Sequence, residues 1–251
     1  MTLSRLTERT IMLRSIKQLY GNHLGATDGE IGHVKDFYFD DQSWAIRYVV
    51  VDTGTWLPGR RVLLSPYSLG RLDQKDKILR VNLTRKQIED SPSIEEHKPV
   101  SRQYEEEYYR YYGWPYYWEG GAVWGMTGFP ILANPPMPLP GKPAGLKAPP
   151  IELADRPLRS TKAVTGYQLR TMTAGIIGYV NDFMMDAEQW TIGQFAIKTG
   201  HRFSGEEMMM PTKYVDRVSY EDSTVFATLA DSEVKPETVT DKTRGGSGAG
   251  D

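Results

Sequence analysis

The chain of 251 residues contains no cysteine. Disulfides, thiolate nucleophiles and Cys-ligated zinc are therefore excluded. Histidine is scarce, with only His23, His33, His97 and His201. Along the sequence these four show no metal-ligand spacing with one another or with carboxylates, so no metal or cofactor is expected. A dominant charge is also lacking, since 30 Lys and Arg stand against 32 Asp and Glu. The resulting net charge of −2 gives no electrostatic reason to bind nucleic acid. No apolar run approaches the ~20 residues needed to span a bilayer. The opening MTLSRLTERTIMLRS lacks the apolar region of a signal peptide. A cytoplasmic location is expected, with peripheral membrane association left open. No Gly-rich phosphate loop, GxSxG or HExxH motif occurs, and the expectation is a protein that is not an enzyme.

What the chain does have is a repeat. Ile31–Trp44 (IGHVKDFYFDDQSW) returns as Ile177–Trp190 (IGYVNDFMMDAEQW). Ile31, Gly32, Val34, Asp36, Phe37, Asp40 and Trp44 recur as Ile177, Gly178, Val180, Asp182, Phe183, Asp186 and Trp190, always 146 residues on. The chain therefore divides into a tail (1–11), a first copy (12–90), an intervening segment (91–157), a second copy (158–232) and a disordered tail (233–251).

Within the first copy, Asp28-Gly29 between strand-like segments predicts a hairpin with a type I′ turn. The strand that follows spaces its apolar residues 3, 3 and 2 apart, at Ile31, Val34, Phe37 and Phe39. A strand of period two cannot put all four on one face, so a bulge near Lys35-Asp36 is expected. Ile177, Val180, Phe183 and Met185 repeat the spacing. Asp36 and Asp182 either accept hydrogen bonds from amides freed by the bulge or are solvated carboxylates. Asp40 and Asp186 start turns, and for the Asp36/Asp40 pair structural roles are favoured over calcium binding or acid–base work. Trp44–Asp52 reads as a central strand, Arg61–Leu64 as a short strand ended by Pro66, and Leu69–Asp73 with Ile78–Asn82 as a last hairpin. Thr84 and Gln87 form a capping box for a short helix from Arg85 to Asp90. Many short strands without long helices predict a mainly β fold of two small antiparallel β-barrels.

The intervening segment is different. Ser101 is placed to cap a helix over Arg102–Tyr112, closed by Gly113. Nine of the fifteen residues from Tyr104 to Trp118 are aromatic. Tyr104, Tyr108 and Tyr111 fall on one helical face, with Glu105, Glu106 and Arg110 directed elsewhere. From Gly120 to Pro150 the Pro/Gly-rich composition reads as an extended linker. The aromatic run either packs on a barrel or offers a stacking surface; the first is the better supported, because tyrosine combines a large buried area with a polar tip. If it is a surface, Trp56, Tyr104, Tyr108, Tyr111, Trp114, Tyr117 and Trp118 are the candidate partner residues. Arg60-Arg61 and Glu206-Glu207 occupy equivalent loops with opposite charge and either attract one another, within a chain or between copies in a homo-oligomer, or are simply solvated.

At these residues the chain resembles the PRC-barrel family. The matching pattern is a Gly at the strand entry, D-G-x-x-G-x-V-x-D, an Asp turn, a Gly loop and a Pro: Gly21, Asp28, Gly29, Gly32, Val34, Asp36, Asp40, Gly54 and Pro66. The second copy matches at Gly166, Gly175, Gly178, Val180, Asp182, Asp186, Gly200 and Pro211, without the turn Asp. The resemblance implies two PRC-like barrels joined by an aromatic and Pro/Gly-rich linker, with Gly29, Gly32, Asp36, Asp40, Gly175, Gly178, Asp182 and Asp186 as its structural motif. It also implies a bacterial, non-enzymatic adaptor that binds another protein, for instance in stress adaptation. The family includes the cytoplasmic domain of the photosynthetic reaction-centre H subunit, which gives the alternative of a peripheral component assisting electron or proton transfer.

Overall fold

The fold comes from a computed structural model that describes residues 13–69, 78–95, 100–131, 158–199 and 205–228. The N-terminal tail, most of the Pro/Gly-rich linker, the C-terminal tail, residues 70–77, Gly200, His97 and His201 lie outside the described residues. The elements of the first copy are β1 (Leu13–Ser15), β2 (His23–Ala26), β3 (Gly29–Phe39), β4 (Ile46–Asp52), β5 (Arg60–Leu64), β6 (Ile78–Arg80) and α1 (Arg85–Glu89). Then come β7 (Ile94–Glu95) and α2 (Arg102–Tyr112). The second copy contains β8 (Arg159–Ser160), α3 (Thr161–Val164), β9 (Gln168–Thr171), β10 (Gly175–Asp186), β11 (Thr191–Thr199), β12 (Glu207–Pro211), β13 (Val215–Ser219) and β14 (Thr224–Ala227). The fold is mainly β.

Two equivalent sheets result. In the first copy the order is β6-β2-β3-β4-β5-β7, and in the second β12-β11-β10-β9-β14-β13. Among the described residues neither sheet closes through strand pairing, although Leu69 bridges Val81 beside β6. Nor are the sheets wholly antiparallel, as the sequence suggested. β2 pairs with β6, and β9 with β14, in parallel. The cause is a corner. Thr212–Tyr214 is a 3-10 turn that joins β12 to β13 without pairing them, so the chain does not fold back on itself there. Counting reversals from β9, three hairpins lead to β12 and one joins β13 to β14, an even number, and the closing pair must run parallel. Pro66–Ser68 makes the same corner after β5.

The expected bulge is present twice. Register shifts between Val34 and Asp36 against β4, and between Val180 and Asp182 against β11. Lys35 and Asn181 are the extra residues, and the shift returns Phe37 and Phe183 to the buried face. At Gly32 and Gly178 the next strand leaves no room for a side chain. A Cβ on Gly32 would lie 2.0 Å from the Asp52 carbonyl oxygen, and one on Gly178 2.6 Å from that of Lys198.

The predicted type I′ turn is not formed. Ala26 pairs with Gly29, so Thr27 and Asp28 are the two loop residues, and neither has a positive φ. Asp28 instead serves the helix that follows much later, where its carboxylate accepts the Arg85 amide at 2.8 Å at the start of α1. The capping box of α1 is formed by Thr84 and Gln87. β4 begins two residues later than predicted because Trp44 is left-handed (φ 59°), as is Trp190 (φ 54°).

Helix α2 forms as predicted, with Ser101 accepting the Tyr104 amide and Gly113 ending it at φ 68°. Two corrections concern what surrounds it. Glu105 does not face away from the core but is 3 % exposed. The beginning of the Gly-rich segment is not an extended linker either. Ala122 bridges Gly125, Trp124 bridges Thr127, and Trp124 is 1 % exposed.

Candidate functional site

The two copies are interlocked. β1, at the start of the first copy, pairs with β10 of the second, while β8, at the start of the second, pairs with β3 of the first. Each entering strand thus completes the other copy's sheet. The aspartates of the repeat hold these strands in place. Asp182 accepts the Phe183 amide at 2.7 Å, the Lys17 amide at 2.9 Å and the Ser15 hydroxyl at 2.5 Å. Asp36 accepts the Phe37 amide at 2.8 Å, the Lys162 amide at 3.1 Å and the Ser160 hydroxyl at 2.5 Å, and it also takes the Thr161 hydroxyl at 3.0 Å. Both carboxylates satisfy the amide that follows the bulge, the first of the two roles expected for them, and accept from the other copy on both oxygens. Ser15 and Ser160 in turn cap the first turn of their own segment by accepting the Gln18 and Ala163 amides.

A second reciprocal contact lies at the two tryptophans. The Ile46 amide donates to the Trp190 carbonyl at 2.7 Å, and the Ile192 amide donates to the Trp44 carbonyl at 2.8 Å. Beneath it the cores merge. Phe39 lies 5.8 Å from Phe183, and Trp44 lies 5.5 Å from Phe195. Asp40 and Asp186 hold the turns leading to these tryptophans. Asp40 accepts the Gln42 amide at 2.9 Å and the Ser43 hydroxyl at 2.7 Å; Asp186 accepts the Glu188 and Gln189 amides. Burial pulls the Asp40 carboxyl upward, but the Gln42 amide, Ser43 hydroxyl and Arg47 guanidinium outweigh it and leave it below its ordinary range.

The aromatic segment fills the flank of the first copy. Tyr108, Trp114 and Tyr117 are buried and offer no surface to a partner, because they pack against Tyr48, Tyr67 and Tyr109. Trp56, Tyr104, Tyr111 and Trp118 are only partly buried. Trp56 lies under the Arg85 guanidinium at 4.7 Å, while Tyr104 and Tyr111 donate to the carbonyls of Pro92 and Gln87. The segment also reaches the second copy, where the Trp124 indole donates to the Gln189 carbonyl at 2.7 Å.

Inside this cluster is a charged group that sequence reasoning missed. Glu105 pairs with Arg102 at 2.9 Å and accepts the hydroxyls of Tyr117 at 2.9 Å and Tyr48 at 3.1 Å. Burial pushes its carboxyl above the usual range, against the pull of Arg102 and the two tyrosines. Arg47, also buried, lies 3.7 Å over the Tyr117 ring and donates to the Val123 carbonyl. The only hint in sequence was the Arg102/Glu105 spacing of three on a helix.

In the charge-swapped loops, Arg60 and Glu207 bond to groups of their own copy. Arg60 spends its guanidinium on the end of α1, donating to the carbonyls of Ile88, Glu89 and Ser91. Glu207 accepts from Asn181 of its own copy.

These features define a class: a pair of small β units, duplicated in one chain and joined by exchange of their first strands. Comparison with family models sharpens this for the first unit. Residues 24–88 match the model of the PRC-barrel domain. No curated protein sequence matches the chain. Among the described residues no helix is long and apolar enough to cross a membrane.

Proposed function

We propose that the protein is a non-catalytic adaptor that binds another protein and uses two fused PRC-like units as a rigid platform. The PRC-barrel match supports a non-catalytic domain family. The observation that carries the reading is where the repeat's polar residues are spent. Asp36, Asp182, Ser15 and Ser160, the side chains with the chemistry for a site, are engaged in joining the copies. Such a duplicated motif is architecture, and recognition falls to what is not duplicated.

The surface-reaching part of the aromatic segment is the unduplicated feature best suited to a partner. Tyr116 and Trp118 stack at 4.7 Å, both half-buried, with the Arg102 guanidinium 4.3 Å over the Trp118 ring. Exposed Met126 follows Gly125, whose backbone packs against that of Tyr116. Aromatic and Arg side chains that keep an exposed edge are the usual anchors of a protein interface. The test is capture of partners from the native cell with the full chain and with a Tyr116→Ser/Trp118→Ser variant that still unfolds in one cooperative transition. The reading expects a protein retained by the first and lost by the second. A pigment–protein complex among the retained material would favour the reaction-centre alternative, and envelope or stress proteins the stress-adaptation role. Equal retention by both proteins would remove the aromatic rim from the interface.

A further inference from the structure

The sequence spacing of the histidines suggested no metal site, but the fold joins two of them. His23 on β2 pairs directly across from His33 on β3, and their rings lie 4.4 Å apart. Glu30 joins them. Its carboxylate is 2.6 Å from Nδ1 of His23. Glu30 and His33 are three residues apart, so on a regular strand they would face opposite sides. The ladder between β2 and β3 shifts register between Leu24 and Gly25, leaving Ile31 as the extra, buried residue. That shift turns Glu30 to the face of His33. Gly25, the residue opposite Glu30, contributes no side chain to crowd the group.

We propose that His23, Glu30 and His33 bind a divalent transition-metal ion, with zinc as the best-fitting common ion. One donor atom from each residue can be chosen so that all three lie within 4.8 Å of one another. Around tetrahedral zinc with bonds of about 2.0–2.1 Å, donors sit roughly 3.4 Å apart. Rotations of exposed side chains supply the difference. Two imidazoles and one carboxylate favour zinc and its neighbours over magnesium or calcium, which prefer all-oxygen shells. The short His23–Glu30 hydrogen bond already orients two of the ligands toward each other, and a cation between them takes the place of the shared proton. All three side chains are exposed, so the ion keeps at least one position open for water or for a donor from a bound protein.

The second copy provides the control. Gln168, Ile176 and Tyr179 stand where His23, Glu30 and His33 stand in the first. Substitutions His23→Gln and His33→Tyr therefore introduce side chains that an equivalent position of this fold already accommodates. The experiment is calorimetric titration of the full chain with zinc, with melting temperature followed in parallel. Zinc is expected to saturate a site and raise the melting temperature, since an ion that binds only the folded state stabilises it. Binding should weaken at least tenfold in either single variant, and X-ray absorption should report two imidazole ligands. A His97→Ala/His201→Ala variant should bind as the wild type does. The proposal is overturned if the His23→Gln/His33→Tyr double variant binds zinc as tightly as wild type. It is equally overturned if binding follows His97 and His201, or if no saturation is reached by about 1 mM.

Discussion

Ser15 and Asp182 lie 167 residues apart, yet the serine hydroxyl donates to the aspartate at 2.5 Å, and Ser160 returns the same bond to Asp36. The two bonds are related by the approximate two-fold symmetry of the duplicated chain. Such self-complementary contacts are those of an isologous dimer. Here the two protomers are one polypeptide.

The first prediction follows from that relationship. Asp36→Ala and Asp182→Ala each remove a carboxylate that holds several donors, one of them in its own strand. Hydrogen bonds to a charged group contribute about 1.5–3 kcal/mol, so each variant should lose at least about 2 kcal/mol of stability in denaturant unfolding. A cycle of Ser15→Ala with Asp182→Ala should show coupling, because the residues share a bond. Strictly additive losses would mean that the clamp does not hold the copies together.

A second prediction concerns the strand exchange. Removing residues 1–16 deletes β1 from the first copy, but the strand that loses its neighbour is β10 of the second. Amide exchange should accelerate at Met184–Asp186, the stretch that pairs with Leu13–Ser15. Acceleration confined to the first copy would contradict the exchange.

The buried aromatic residues separate from the half-exposed ones by stability. Tyr108→Ala opens a cavity in the core and should cost about 3–5 kcal/mol. Trp118→Ala truncates a ring that keeps contact with solvent and should cost well under half of that. Similar losses at both positions would place Trp118 in the core as well.

The pH dependence has a definite sign. Asp40 has a folded-state pKa below its ordinary value of 3.8, so its contribution is present above that value and is lost as pH falls further. Glu105 is the opposite case. Its pKa is raised above 4.5 by burial, so the folded state favours the neutral acid and wild-type stability declines as pH rises through and above 4.5. Glu105→Gln should therefore lose stability relative to wild type as the pH is lowered through that window. Unfolding midpoints of both proteins between about pH 4 and 7 provide the comparison, and parallel curves would show that Glu105 does not titrate there.

The features legible in the sequence were local ones. The bulges at Lys35 and Asn181 could be read because spacings of 3, 3 and 2 are incompatible with an unbroken strand. Thr84, Gln87, Ser101 and Gly113 announced the helix ends because capping is decided within four residues. The turn at Thr27-Asp28 was misread because Asp28 answers to a partner 57 residues away, the Arg85 amide. Glu105 was misplaced for a similar reason. A carboxylate on a helix is ordinarily solvated, and only Tyr48, Tyr117 and Arg102, assembled around it by the fold, make its burial tolerable. The His23/Glu30/His33 group was invisible because a bulge decides which face Glu30 occupies.

By itself the sequence determined that the chain is a duplicated, mainly β protein with glycines, aspartates and tryptophans at matched positions. Periodicity and chain-local hydrogen bonding are enough for that. Tertiary structure alone decided that the first strand of each copy belongs to the other's sheet, and that the matched aspartates are the clamps between them. A repeat shows that two units are alike. Which strand pairs with which depends on backbone groups and carboxylates meeting across more than a hundred residues, and only the folded chain brings them together.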